Sequence, residues 1–445
     1  MSNNKPVLVL YGATSFTARQ LLTYLDEHPQ GVEFDFILAG RNQERLEALN
    51  AKLSTKREIF VCELSDEDGV VSMVDRANVV VNLAGPYRRY NAEAIIRACC
   101  KAGKHYVDLC GESTWLKQDI IPKYHSLARS TGACIVPSCG FDSVPSDLTV
   151  YLAEATIKSV NRDLFLSKST SIFKFNGSIA GGTVQTLLAV TELPPKDQQM
   201  EEYDLCPGSE LGSCFVCGRV NSDTISSSVT LKSTLPFLTT SIPETAFSPC
   251  LRGMFFMYPY NRNIVRRTQY LTGTLSNDLP GKVMQYKEGM DVGQSLIKSA
   301  LSTMVMGIAV VLFLKVKFVR QLMLRFLPKS GEGAPLEKLK AGHWCITNYS
   351  LSETSSANAE EPVKVLTKMS GEGDPGYLST AYMLAESALS LVLPAPQGTS
   401  LPPLFKSGGV LTPVTAMGDA LIERLKKSGK FTISSEVIPT DKKTL

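Results

Sequence analysis

The 445-residue chain has almost no excess of either charge, few histidines and no regular cysteine framework, and each shortage removes a class of function. Lysine and arginine number 46 against 43 acidic residues, a net charge of +3, with no long basic run and no interleaved aromatics. A nucleic-acid partner needs a basic stripe to offset its phosphates, so none is expected. The four histidines lie far apart, no His-Ser-Asp arrangement is readable, and no nucleophile stands out. Eleven cysteines, an odd number, are scattered, and the first apolar run is too short for a secretory signal. Together these point to a reducing, intracellular compartment with free thiols. With a first strand beginning by residue 6, a mitochondrial transit peptide is not expected, although the organelle itself stays open. The terminal Lys443-Thr444-Leu445 resembles a peroxisomal address only loosely.

What is present is alternation. Apolar strand patterns at residues 7–11, 33–39, 58–62, 78–83, 105–108 and 133–137 are separated by helical patterns, six repeats within the first 140 or so residues. That order is the signature of an α/β fold with a Rossmann-type, doubly wound parallel sheet. The first unit sets the theme: a buried strand, a small-residue turn from Gly12, and a helix with Leu21, Leu22 and Leu25 on one face. A dinucleotide pyrophosphate rests on the free N–H groups at such a helix N-terminus, capped here by Thr14 or Ser15. The glycines are thin, however. A template with glycines at 12, 15 and 18 meets Gly12, Ser15 and Ala18. Ala18 suits a helix packed on a sheet; Ser15 offers a hydroxyl where bare backbone is usual. An ordinary strand-turn-helix that binds nothing fits this stretch equally well.

The second strand ends in Gly40-Arg41. An acidic residue there would bond a ribose 2′-hydroxyl, whereas the planar guanidinium of Arg41 suits a 2′-phosphate, so NADP(H) is expected over NAD(H). Gly12, Ala13, Thr14, Ser15, Phe16 and Thr17 would hold the pyrophosphate, and Gly85, Pro86 and Tyr87 would flank the nicotinamide. Tyr87, Asp108 and Asp142 are the candidates for proton handling, because ligand groups converge beyond the carboxyl ends of parallel strands. Asp142 or Ser143 serves equally as the cap of a helix with Pro145 in its first turn, and Asp108 and Glu112 can simply tie down a turn.

These residues carry a resemblance. Residues 12–18, 39–41 (AGR), 81–87 (VNLAGPY), 105–108 (HYVD), 111–112 (GE) and 140–147 (GFDSVPSD) resemble the saccharopine dehydrogenase-like oxidoreductase family. Residues 265–269 (VRRTQ), 373–377 (GDPGY) and 408–413 (GGVLTP) extend it, the last two being particularly similar to the trans-acting enoyl reductase branch. The resemblance implies a nucleotide-cofactor oxidoreductase and leaves the substrate open; saccharopine or another amino acid leans on the family name alone.

Four regions are expected: an NADP-binding domain at 1–150, an α+β substrate domain at 151–295, hydrophobic helices at 296–330, and a completion of the substrate domain at 331–445 whose final helix, 418–428, returns to the nucleotide domain. In the second region, residues 164–175, 216–220 and 226–231 read as strands. Gly181-Gly182-Thr183 opens a helix that either is simply buried or offers a second anion-binding turn. Cys206, Cys214 and Cys217 include a Cys-x-x-Cys, but no second pair follows, so ordinary thiols are expected and no metal. Residues 299–314 are sixteen in a row without a charge, short of the ~20 needed to span a bilayer. A core helix, a helix lying in one leaflet and a short span compete. The following 318–327, alternating apolar groups with arginines, favours a membrane surface.

The reading is therefore an NADP(H)-dependent oxidoreductase acting on a lipid-like or acyl/enoyl substrate, on the cytoplasmic face of a membrane or lipid droplet, with a homodimer as an open partner. The alternative is a non-enzymatic, membrane-associated or lipid-droplet scaffold that keeps the fold.

Overall fold

The computed structural model describes residues 5–141, 143–178, 181–198, 200–207, 253, 255–273, 283–292, 296–329, 331–353, 361–439. Two sheets organise them. The first is built from β1 (Val7–Tyr11), β2 (Asp35–Gly40), β3 (Ile59–Val61), β4 (Val79–Asn82), β5 (His105–Asp108) and β6 (Cys134–Val136), with α1 (Phe16–Asp26), α2 (Gln43–Asn50), α3 (Glu67–Asp75) and α4 (Glu93–Ala102) between successive strands. The β5–β6 connection holds α5 (Ser113–Trp115), a π-turn at Leu116–Ile120 and α6 (Ile121–Thr131), so the helical pattern between these strands contains a wide turn. Every neighbouring pair is parallel and the order is β3-β2-β1-β4-β5-β6, the doubly wound arrangement that the alternation predicts. Leu8, Leu10, Leu21, Leu22 and Leu25 are buried, so the apolar stripe of α1 closes on the face of β1.

From α7 (Val144–Val160) the chain enters the second sheet, with β7 (Leu166–Asn176), α8 (Gly181–Glu192), α9 (Tyr258–Leu271) and β8 (Gln285–Met290). Next come α10 (Leu296–Lys315), α11 (Lys317–Leu324), α12 (Leu336–Lys340), β9 (His343–Ser352) and β10 (Lys364–Glu372). After α13 (Thr380–Val392) and α14 (Pro403–Ser407), the two-residue β11 (Gly409–Val410) adds to the nucleotide sheet beside β6. The chain ends in α15 (Pro413–Lys427) and β12 (Phe431–Ile438). The second sheet runs β12-β10-β9-β7-β8, antiparallel except for β7 with β8. The strands expected at 216–220 and 226–231, with Cys214 and Cys217, lie outside the described residues; Cys206 is buried.

The last helix starts earlier than its apolar pattern suggests. Thr412 caps it, Pro413 occupies its first turn, and Gly418 kinks it with φ +46°. Its Arg424 donates to Glu386 of α13 at 2.9 Å, and Glu386 also accepts from Tyr24 at 2.5 Å and His28 at 3.0 Å. The C-terminal helices are thus fastened to α1.

The charge-free run forms a twenty-residue helix that is not in the core. Over Ile297–Lys315 the mean hydropathy is 2.0, yet only 17% is buried. Leu301 (53% exposed), Val305 (56%) and Val311 (57%) stand in solvent, which removes the core-helix reading.

Candidate functional site

The turn after β1 is built by one glycine and one serine. Gly12 has φ +78°, and its N–H and that of Ala13 both donate to the carbonyl of Ala39, at 3.0 and 3.3 Å. A Cβ on Gly12 would lie 2.9 Å from the Ala84 nitrogen, because the loop after β4 passes directly alongside. The glycine is therefore required both by its dihedral and by the closeness of the two loops. Ser15 needs no such freedom: its φ is −66°, and its Oγ accepts the Ala18 N–H at 3.2 Å as the N-cap of α1. Ala18 is wholly buried under the sheet. Serine and alanine in place of the template glycines thus leave the turn intact.

The geometry suits a dinucleotide phosphate. Phe16 and Thr17 open α1, where backbone N–H groups have no partner within the helix and the positive end of the dipole faces out. Arg41 follows the last residue of β2, is exposed, and makes no ion pair or hydrogen bond among the described residues. The free guanidinium stands at the ribose end of the crevice. The Phe16 side chain does something else: its ring meets Tyr377 edge-on at 5.3 Å, so any contribution of Phe16 to phosphate binding comes from its backbone.

At the next loops the proton-handling candidates turn out to be engaged in the fold. Tyr87 is buried against Trp115; its hydroxyl accepts the Leu109 N–H at 2.9 Å and donates to the Asn82 carbonyl at 3.2 Å. Burial pushes that phenol far above its ordinary range, so Tyr87 ties two loops rather than offering a proton. Asp108 is equally enclosed. Its carboxylate accepts from Cys110 N–H (2.8 Å), Ser138 N–H (2.9 Å) and Tyr106 hydroxyl (2.8 Å), and burial pushes its pKa up to about 7 against those donors. Its chemistry here is to staple the ends of β5 and β6. Asp142 lies outside the described residues. Gly85-Pro86 is a cis peptide leading into Tyr87, whose N–H donates to Glu112 at 2.7 Å.

A roof that sequence reasoning did not identify as part of the site crosses these loops. The end of α8 is held by an ion pair between Glu192 and Arg89, just beyond the β4 loop. At its start, Thr183 Oγ1 shares a hydrogen bond of 2.7 Å with the Tyr377 hydroxyl, next to Phe16. The helix therefore spans from the β1 turn to the β4 turn. The only signal for it was the Gly181-Gly182-Thr183 opening, and the Gly181 N–H there is taken by the Glu332 carbonyl at 3.0 Å. Tyr377 sits in the GDPGY stretch, which carries resemblance but no readable chemistry. Among the described residues, no group of three or more His, Cys, Asp or Glu is arranged for a metal.

A doubly wound sheet whose β1–β4 switch point carries a positive-φ glycine, a free helix N-terminus and an unpaired arginine defines the class of dinucleotide-binding oxidoreductases. Comparison with known proteins gives the finer assignment. Residues 8–136 match the saccharopine dehydrogenase NADP binding domain. A Mycobacterium tuberculosis protein named provisionally as a trans-acting enoyl reductase is 32% identical over 443 residues, covering 95% of this chain and 96% of its own. Trans-acting enoyl reductases of Mycobacterium bovis and Mycobacterium ulcerans are each 30% identical at the same coverage. In fold, the chain is similar to the apo saccharopine dehydrogenase (L-Glu forming) of Saccharomyces cerevisiae, with a TM-score of 0.50 over 98% of this chain and 100% of that one at 13% identity. The chain belongs to the saccharopine dehydrogenase-like oxidoreductases, with trans-acting enoyl reductases among its relatives, and its cofactor is NADP.

Proposed function

We propose that the protein is an NADPH-dependent reductase of an acyl or enoyl lipid-like substrate, working at a lipid surface. The observation that carries this is the similarity to enoyl reductases along 95% of the chain, well beyond the nucleotide domain. When bound, NADPH supplies the hydride; the chain's own residues position it and exclude water. The turn at Gly12, Ala13, Thr14 and Ser15, with the Phe16 and Thr17 amides, would hold the pyrophosphate. Arg41 would pair with the 2′-phosphate, while Gly85 and Pro86 flank the nicotinamide beneath α8. An apolar substrate suits this position, since α8 carries the half-buried Leu188 and Val190 and an exposed Leu187.

The lipid surface is supported by α10 and α11. One side of α10 and of α11 exposes apolar residues such as Leu301, Val305, Ile308 and Phe318, and residues 292–331 contain six basic side chains and no acidic one. That charge favours the anionic cytoplasmic face of a membrane, or a lipid droplet, and a helix pair lying in the interface. The scaffold alternative gains nothing from relatives that are named as reductases.

The test is a titration of the purified protein with NADPH and NADH, followed by nicotinamide fluorescence, in the wild type and in Arg41→Ala. NADPH-selective binding that Arg41→Ala weakens at least about tenfold, a loss of ~1.4 kcal/mol, is expected, with NADH little affected. Equal effects on both would remove the 2′-phosphate assignment. Oxidation of NADPH by enoyl thioesters then tests the substrate class.

A further inference from the structure

We propose that a strap at residues 331–335 is a clasp over the pyrophosphate end of the NADP site, and that a lipid surface opens it by taking up α10 and α11. The inference rests on the reading just given, that NADP lies at the start of α1 and that α10–α11 meet lipid.

The strap lies beside the start of α1. It begins in a turn: the Glu332 N–H donates to the Lys329 carbonyl at 2.9 Å, and the Glu332 carboxylate accepts the Lys329 N–H at 2.9 Å. Gly331 allows the turn with φ +82°. Gly333 then lies against the Phe16 ring so closely that a Cβ would fall 2.3 Å from its Cζ. Phe16 is the first residue of the nucleotide helix, so the strap's backbone rests on the side chain whose own amide faces the phosphate site. Two further contacts hold it there. The Glu332 carbonyl accepts the Gly181 N–H at the start of α8, and Ala334 packs with Leu339, Tyr377 and Leu378. The ribose end by Arg41 is exposed, so a nucleotide can land there freely, but its pyrophosphate lies beside the strap and the roof.

What moves the strap is the segment just before it. No residue of α11 is buried, and only 17% of α10 is. The two helices travel as one piece, because Arg320 donates to the Phe313 and Leu314 carbonyls at the end of α10, at 3.1 and 3.2 Å. Ser299, Thr303 and Phe313 seat one side of α10 on the body and Lys315 bonds Gln198 at 2.9 Å, while the side carrying Ile297, Leu301, Val305 and Ile308 stays open to a lipid surface. Phe326, five residues before Gly331, is 82% exposed and would enter a leaflet together with α11. Seating that ring draws the chain away from Phe16. In solution the strap stays closed over the site; on lipid it lifts and lets cofactor exchange.

The experiment measures NADPH release. The full chain, loaded with NADPH, is mixed with excess NADP⁺ in a stopped flow, with and without phosphatidylcholine vesicles containing phosphatidylserine, and nicotinamide fluorescence is followed. Vesicles should speed release at least about threefold in the wild type, the scale on which contacts change dissociation rates. Gly333→Val, whose side chain props the strap off the ring, should release fast without lipid and gain nothing from it. Should that variant fail to fold, nicking the folded chain at a protease site inserted in the strap gives the same reading. Serines at Ile297, Leu301, Val305 and Ile308 should keep release slow with vesicles present. An unchanged release rate in wild-type protein that demonstrably floats with the vesicles would overturn the clasp. Two other outcomes overturn it together with its supports, and they are told apart: no fluorescence change on adding NADPH removes the site reading, and no flotation removes the lipid reading.

Discussion

Gly12 and Ser15 occupy two positions of the same loop template, yet the structure asks different things of them. At Gly12 a methyl would meet the Ala84 nitrogen at 2.9 Å in a backbone with φ +78°. Gly12→Ala should therefore cost about 1–3 kcal/mol and lower Tm by several degrees, with NADPH binding lost even where the protein stays folded. Ser15→Gly removes only a side-chain cap at an ordinary dihedral, so a loss of a few tenths of a kcal/mol is expected, with NADPH affinity within a few-fold of wild type. Thermal melts and fluorescence titration of the two variants check the contrast. If both behaved alike, the loop would owe its shape to something other than the crossing at Ala84. The sequence made Ser15 look like a defect because a template counts glycines, whereas the chain needs positive φ at one position alone. The exposed place of Arg41 after β2 was legible for a complementary reason: a charge at a strand end depends little on tertiary detail. Tyr87 and Asp108 were not. Their partners, the Leu109 and Ser138 amides, lie 22 and 30 residues away, and nothing local announces them.

At the scale of elements, the strands were read to within about two residues because a buried parallel strand is a continuous apolar run bounded by turns. The run at 299–314 carries the same kind of signal but lacks the part that decides its use. Apolarity without a polar face is shared by a core helix and a lipid-facing one, and the exposure of Ile297, Leu301, Val305 and Ile308 argues against the first. That exposure yields a prediction opposite to the one a core helix would give. Replacing all four with serine should leave Tm nearly unchanged, each surface change being worth about 0.5 kcal/mol or less, and should abolish flotation with anionic vesicles. Differential scanning fluorimetry and a flotation gradient read the two halves. A large drop in Tm would mean that the helix is packed against the protein after all. The kink of α15 at Gly418 was invisible in the apolar pattern, since Leu421, Ile422 and Leu425 keep their helical spacing on one side of it.

At the scale of the molecule, elements far apart in sequence are tied by buried polar residues that titrate in opposite directions. Asp147 of α7 accepts the Thr268 hydroxyl at 2.6 Å and the Val414 N–H at 3.0 Å, tying α7 to α9 and α15. Burial pushes its carboxyl up to about 7 despite those donors, and Asp108 likewise. An acid whose pKa rises on folding is protonated in the native state while the unfolded chain has already ionised. It therefore lowers stability progressively as pH climbs from about 4 to about 7. His125 and His105 act the other way. Each accepts a backbone N–H, from Val410 at 3.1 Å and Cys134 at 3.2 Å, and each is lowered to about 4, mainly by burial. A native state that keeps them neutral gains stability as pH rises from about 4 to 6.5. Glu386 adds an acid-side loss: burial raises its carboxyl, but the His28 bond, the Arg424 charge and the Tyr24 hydroxyl outweigh that and hold it below the ordinary range, so its support fades as pH falls through that lowered value. With raised acids and lowered histidines pulling opposite ways between pH 4 and 6.5, the wild-type curve is a poor readout. The difference between proteins is a sharp one. Asp147→Asn keeps an oxygen for Thr268 but places an amide before the Val414 N–H, a fixed cost at every pH. Relative to wild type, the variant should therefore gain in Tm steadily from pH 4 to 7 and stop gaining above it. Melts of both proteins at matched pH decide this. A constant offset would mean that Asp147 is already ionised in the folded state, and that the donors around it outweigh its burial.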